Sequence, residues 1–284
     1  MIIVLISTVG GGGKGPAAAG QGISSRAAPA SIVNGLANVP ASKFAEAGLG
    51  GSGVTFLASR GPVVALKGKS PLTLGGKPLV LYLGAQFCPF CAATRWPLVI
   101  ALDRFGSFSG LKLSASSPVD FAPNTRTLDI AQATYHSRYL AFEETEQTTN
   151  TCHDVVSNPD PPPKYACVST ADYGRLQTAD ALTQRLISAY DTATYFSGPE
   201  PGGIPFVDMG NRFIESGAPF YSTATQNPPI SLAGYSWAQI VASLQAPIAG
   251  SPGQAILGAA NHYVAAFCQM TGGKPGSVCN QSFV

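Results

Sequence analysis

The strongest constraint on this chain is a nearly continuous apolar run, Pro78-Leu79-Val80-Leu81-Tyr82-Leu83-Gly84-Ala85, that leads through Gln86 and Phe87 into Cys88-Pro89-Phe90-Cys91. Such a run without polar alternation is the pattern of a strand buried on both faces. Beyond the cysteines, Trp96, Val99, Ile100 and Leu102 recur at helical spacing over residues 92–105, and Gly106 ends the helix. A Cys-X-X-Cys pair at a strand–helix junction is a strong signal of redox chemistry.

The physical reason is local. A cysteine at a helix N-terminus faces unpaired backbone N–H groups and the positive end of the macrodipole, both of which favour a thiolate. Pro89 suits the first turn, where its missing N–H is not needed. The Cys88 thiol is therefore predicted to ionise below the free value of about 8.5. Cys91 lies one turn on, within reach of a mixed disulfide at Cys88, so Cys88 is the attacking thiol and Cys91 the resolving one. A structural zinc site would need two further ligands, and no second Cys-X-X-Cys exists; His153 beside Cys152 is the residue that could join one. A short-loop structural disulfide at Cys88–Cys91 is the other non-catalytic alternative.

The remaining four cysteines fall into two local pairs by spacing, Cys152/Cys167 and Cys268/Cys279. Six cysteines allow 15 connectivities, so this pairing is a preference. An even count with short loops suits structural disulfides in an oxidising compartment. Loops of about 15 and 12 residues would each contribute about 3 kcal/mol in the chain-entropy model. Charged residues make up only 11% of the 284 residues, and Gly and Pro number 32 and 23. The net charge is +2, with Lys and Arg scattered singly, so nothing points to nucleic acid or to an acidic substrate.

Residues 1–30 read as an apolar start, Met1 to Thr8, followed by a flexible linker of small residues. The apolar run is shorter than the roughly 20 residues that span a bilayer. The end of an N-terminal membrane anchor and a plain apolar start are both open readings of it. The rest, 31–284, is predicted as one domain. Strands are expected over Val63–Leu66, Leu111–Ala115 and Arg138–Glu144, and helices near Ser42–Ala47 and over Thr178–Phe196, Ser236–Gln245 and Gln254–Thr271. Residues 204–208 and 212–215 form a hairpin across Met209-Gly210-Asn211. The turn-rich, proline-rich segment 146–173 reads as an inserted loop, clipped if Cys152 and Cys167 pair.

The strand, the Cys-Pro-Phe-Cys motif and the later Gly203-Ile204-Pro205-Phe206-Val207 together resemble the thioredoxin superfamily. In overall layout the chain most resembles an uncharacterised prokaryotic family of thioredoxin-like, often membrane-anchored proteins. The resemblance covers roughly 63–115 and 176–250, with an insertion at about 116–175. It implies an α/β thioredoxin-like fold: a central mixed sheet flanked by helices, an inserted disulfide-clipped segment and an extra C-terminal helix. It also implies that Pro205 is cis, that its loop faces the dithiol, and that Ile204 offers backbone hydrogen bonds to a substrate chain. Phe87 and Phe90 would form an apolar collar for unfolded or hydrophobic protein substrates. One departure is Tyr82, which stands six residues before the first cysteine where thioredoxins carry a buried acid able to take a proton from the resolving thiol.

The resulting expectation is an extracytoplasmic, periplasmic or cell-surface thiol–disulfide oxidoreductase that needs no cofactor and no metal. Its partners are proteins bearing thiols or disulfides and a membrane or soluble redox partner. The alternative is a non-catalytic binding or scaffold domain with a structural Cys88–Cys91 disulfide. Arg95 is expected as a solvated surface residue and Trp96 as core.

Overall fold

The computed structural model describes residues 13–48, 54–55, 63–196, 203–222, 232–247 and 250–282. The apolar start Met1 to Thr8 and residues 197–202 lie outside them. The chain is a mixed α/β protein whose central mixed sheet is flanked by helices, as predicted. The middle strand is Lys77–Gly84. On one side it pairs in parallel with Ala141–Glu146; on the other it pairs antiparallel with Phe206–Met209, which continues to Phe213–Ser216 and then Val64–Ala65. A short strand, Thr73–Leu74, also pairs with its start.

The continuous apolar run is buried on both faces because side chains alternate across a strand. Val80 and Tyr82 join one apolar cluster with the helices; Leu81 and Leu83 join a second with Leu186, Tyr190 and the inserted segment. The first cluster is built on the helix Pro89–Asp103, which packs against the C-terminal helix Pro252–Met270. Trp96 is core, as expected, with its indole N–H on the Arg126 carbonyl at 3.0 Å. Gly210 and Asn211 turn the Phe206–Met209 hairpin at φ of 68° and 55°, the left-handed conformation that Gly and Asn adopt most readily.

Two expectations about organisation need correction. The supposed linker is structured from residue 13 onward. Lys14 bridges Val156, Gly15 N–H donates to the Val155 carbonyl, and Arg26–Ala27 pairs with Lys112–Leu113. Small residues are used there for close packing on the inserted segment rather than for flexibility: a Cβ at Gly20 would meet the Cys152 carbonyl. Second, residues 116–175 are not wholly an addition to the core, because the parallel strand Ala141–Glu146 comes from inside that span. Other strands of the span form antiparallel pairs: Arg126–Asp129 with Lys112–Ala115, Thr134–Ser137 with Gly106–Ser109, Thr148–Cys152 with Tyr173–Arg175, and Val155–Ser157 with Tyr165–Cys167. The disulfide Cys152–Cys167 clips it, and Cys268–Cys279 ties the last turn to the C-terminal helix. Among the described residues no helix is long and apolar enough to cross a membrane.

Candidate functional site

Cys88 is the N-cap of the helix Pro89–Asp103, in extended conformation, and Pro89 opens the first turn. Its sulfur accepts the Cys91 backbone N–H at 3.4 Å, the geometry expected of a side chain that satisfies an orphan helix donor. Cys88 and Cys91 are both free thiols. The Cys88 thiol also points at the carbonyl oxygen of Ile204, 3.9 Å away. The Ile204–Pro205 peptide is cis. Two segments 116 residues apart in sequence thus meet at one sulfur.

The electrostatics run against the expected low thiol pKa. Cys88 is only 4% exposed and Cys91 0%. Burial pushes the Cys88 thiol well above its ordinary value; the neighbouring Cys91 and the Asp120 carboxylate push the same way, and the Cys91 N–H pulls it down. Desolvation therefore outweighs the helix terminus in this conformation. The charges with the largest effect on Cys88 are those of Cys91 and Asp120, both of which oppose its ionisation.

The aromatic collar divides in two. Phe87 is buried, stacked on Tyr173 from the inserted segment with ring centroids 4.2 Å apart and an interplanar angle of 7°. Phe90 is half-buried and packs against Phe121, which is 41% exposed. A groove of about 720 Å³ runs beside the dithiol, walled by Phe87, Tyr173, Ile187 and Ile204 with Thr148 and Gln177 among its polar groups. Among the described residues, Arg175 is the only charged one that lines it.

Sequence reasoning missed what lies beneath the dithiol. Arg95 is not a solvated surface residue; it is 1% exposed and paired with fully buried Glu146. Its Nη2 also donates to the Ala85 carbonyl at 2.8 Å. Burial favours neutral Arg95, and the negative charge of Glu146, with Tyr82 and Cys91 behind it, more than reverses this and holds the guanidinium ionised. Tyr82, six residues before Cys88, is fully buried, and burial raises its hydroxyl well above the usual range. The signal for Arg95 was present in the sequence: PFCAATRWPLVIALD has almost no polar face, so a helix of this composition must be buried all round. Asp120 gave no such signal, since it acts only through the folded loop. Among the described residues no three of His, Cys, Asp and Glu converge as metal ligands.

No curated protein and no solved structure matches the chain. A family model described as a domain of unknown function, DUF929, matches residues 66–158, a span that holds the central strand, the dithiol and Glu146 but ends before Ile204 and Pro205.

Proposed function

We propose that this chain is a thiol–disulfide oxidoreductase of thioredoxin-like fold, acting on protein thiols outside the cytoplasm. Cys88 attacks, Cys91 resolves, and the Ile204-Pro205 loop holds the partner chain. Support for the fold comes from the strand–dithiol–helix unit and from a proline loop that meets the dithiol just before an antiparallel hairpin. Support for the compartment comes from the two disulfides.

The observation that carries the reading is that one sulfur both caps the helix and faces the Ile204 carbonyl. In the reductive direction the Cys88 thiolate forms a bond to one sulfur of a substrate disulfide and expels the other. The Cys91 thiolate then attacks the Cys88 sulfur, releases the substrate as a thiol and leaves Cys88–Cys91 oxidised. The oxidative direction is the same sequence reversed, and neither needs a cofactor.

Trapping tests this. Cys91→Ala, expressed in an oxidising compartment, should accumulate proteins linked to Cys88 that are released by dithiothreitol and absent when Cys88→Ser is added. Failure to hold any partner would overturn the reading. The burial of Cys88 favours a second reading, a binding or scaffold domain with a permanent Cys88–Cys91 bridge. A dithiol potential below about −300 mV would assign the chain to that class.

A further inference from the structure

The loop 116–124 is fastened on both sides of Cys88. Before the cysteine, Ser117 N–H donates to the Phe87 carbonyl at 2.9 Å. After it, the Phe121 ring rests on Phe90 with centroids 5.3 Å apart. The loop is closed on itself by Ser116 Oγ, which donates to the Ala122 carbonyl at 3.0 Å and accepts the Thr125 N–H at 2.9 Å. Val119 belongs to the same apolar cluster as Cys88 and Tyr173. Asp120 stands between Val119 and Phe121, and one of its oxygens takes the Phe121 N–H at 2.7 Å.

We propose that Asp120 is the proton partner of Cys88, exchanging one proton with the attacking sulfur during disulfide exchange. This rests on the oxidoreductase reading and adds to it a residue on the inserted segment. A thiol as buried as Cys88 needs a nearby base to ionise, and the helix terminus alone does not supply one. The ionisable groups with the largest effect on Cys88 are Cys91 and Asp120; Tyr173 and Tyr82 also feel the charge of Cys88, and Tyr173 that of Asp120. Both tyrosines are raised above their usual value and stay neutral near pH 7, which leaves the carboxylate as the acceptor. Burial lifts Asp120 to about 6, close to working pH.

The step balances without an added reagent. The Cys88 S–H proton passes to the Asp120 carboxylate as the sulfur bonds to one sulfur of the substrate disulfide. The substrate S–S bond breaks, and Asp120 returns the proton to the departing sulfur. Asp120 then carries its negative charge again beside a sulfur that is now neutral.

The test is the alkylation of reduced native protein with iodoacetamide from pH 4 to 10, read on the Cys88 peptide by mass spectrometry. The rate should rise in two stages, first with a midpoint near 6 as Asp120 ionises, then again as the thiol itself ionises. Asp120→Asn should lose the first stage and exchange with a peptide disulfide at pH 7 roughly tenfold or more slowly. Asp120→Glu should restore the first stage. A single rise in the native protein, or a native profile in Asp120→Asn, overturns the proposal; Asp120→Ser replaces Asp120→Asn if that variant does not fold. A two-stage profile with no attack on peptide disulfides would instead overturn the oxidoreductase reading while leaving the Asp120–Cys88 coupling in place.

Discussion

Arg95 and Glu146 form a two-pronged ion pair in the interior, with Nε donating to Oε1 at 2.6 Å and Nη2 to Oε2 at 2.9 Å. Arg95 stands one helical turn beyond Cys91, and Glu146 ends the parallel edge strand. The planar guanidinium fork matches a carboxylate in a way that lysine does not. Removing one partner of a buried pair strands the other charge, which costs about 3–5 kcal/mol, whereas replacing both by apolar groups is far cheaper. Glu146→Leu and Arg95→Met are each expected to lower urea-denaturation stability by about that amount, and the double variant by clearly less than the sum. Additive losses would show that the two side chains matter through packing rather than through each other.

How much of this was legible in the sequence depended on how local the determinant was. The central strand, the dithiol helix, the Phe206–Met209 hairpin and both disulfides could be read because each rests on a short run of residues. The assignment of Ala141–Glu146 to the central sheet could not, since AFEETE carries three acids and only pairing with Leu79–Gly84 buries Glu146. The same holds for the electrostatics of Cys88. The helix terminus is visible in the sequence, but the desolvation that outweighs it comes from distant elements, Ile204, Val119 and Tyr173.

The two disulfides should differ in what they hold. Cys268–Cys279 closes 11 residues of separation at the end of a buried helix, and Cys152–Cys167 closes 15 within the inserted segment. Each loop is worth about 3 kcal/mol by chain entropy. Paired Cys→Ser replacement of either is expected to lower stability by about 2–5 kcal/mol in denaturant titrations carried out without reductant. Mass spectrometry of the unreduced protein should find both linkages. Free thiols at these four positions in protein taken from its own compartment would remove the support for an extracytoplasmic location.

Asp103, at the end of the dithiol helix, sets a pH dependence of stability. Burial raises its carboxyl from 3.8 to about 7, against the opposing pull of the Phe108 N–H. The folded state therefore holds a proton that the unfolded state has already lost across this window. The stabilising contribution is full below about pH 4 and disappears as pH rises toward 7. The gap between the two values bounds the effect at about 4 kcal/mol. Asp103→Asn, which still accepts the Phe108 N–H, should flatten the fall in melting temperature between pH 4 and 8 and stabilise the protein at the upper end. An equally steep fall in the variant would assign the dependence to other acids, such as Asp208, also raised to about 6 by burial.

Access to Cys88 should be governed from the inserted segment. Tyr173 covers Phe87 by stacking, and it sits opposite Cys152 in the strand pair Thr148–Cys152 with Tyr173–Arg175. A ring pair of this kind is worth about 0.5–1.5 kcal/mol beyond its buried area, which corresponds to roughly two- to tenfold in an opening equilibrium. Tyr173→Ala is expected to speed iodoacetamide alkylation of Cys88 at fixed pH by about that factor. Breaking the Cys152–Cys167 clip should act in the same direction, because it loosens the strand that carries Tyr173. If both changes leave the rate untouched, the sulfur is reached from the Phe90–Phe121 side, and Phe121→Ala becomes the variant that exposes it.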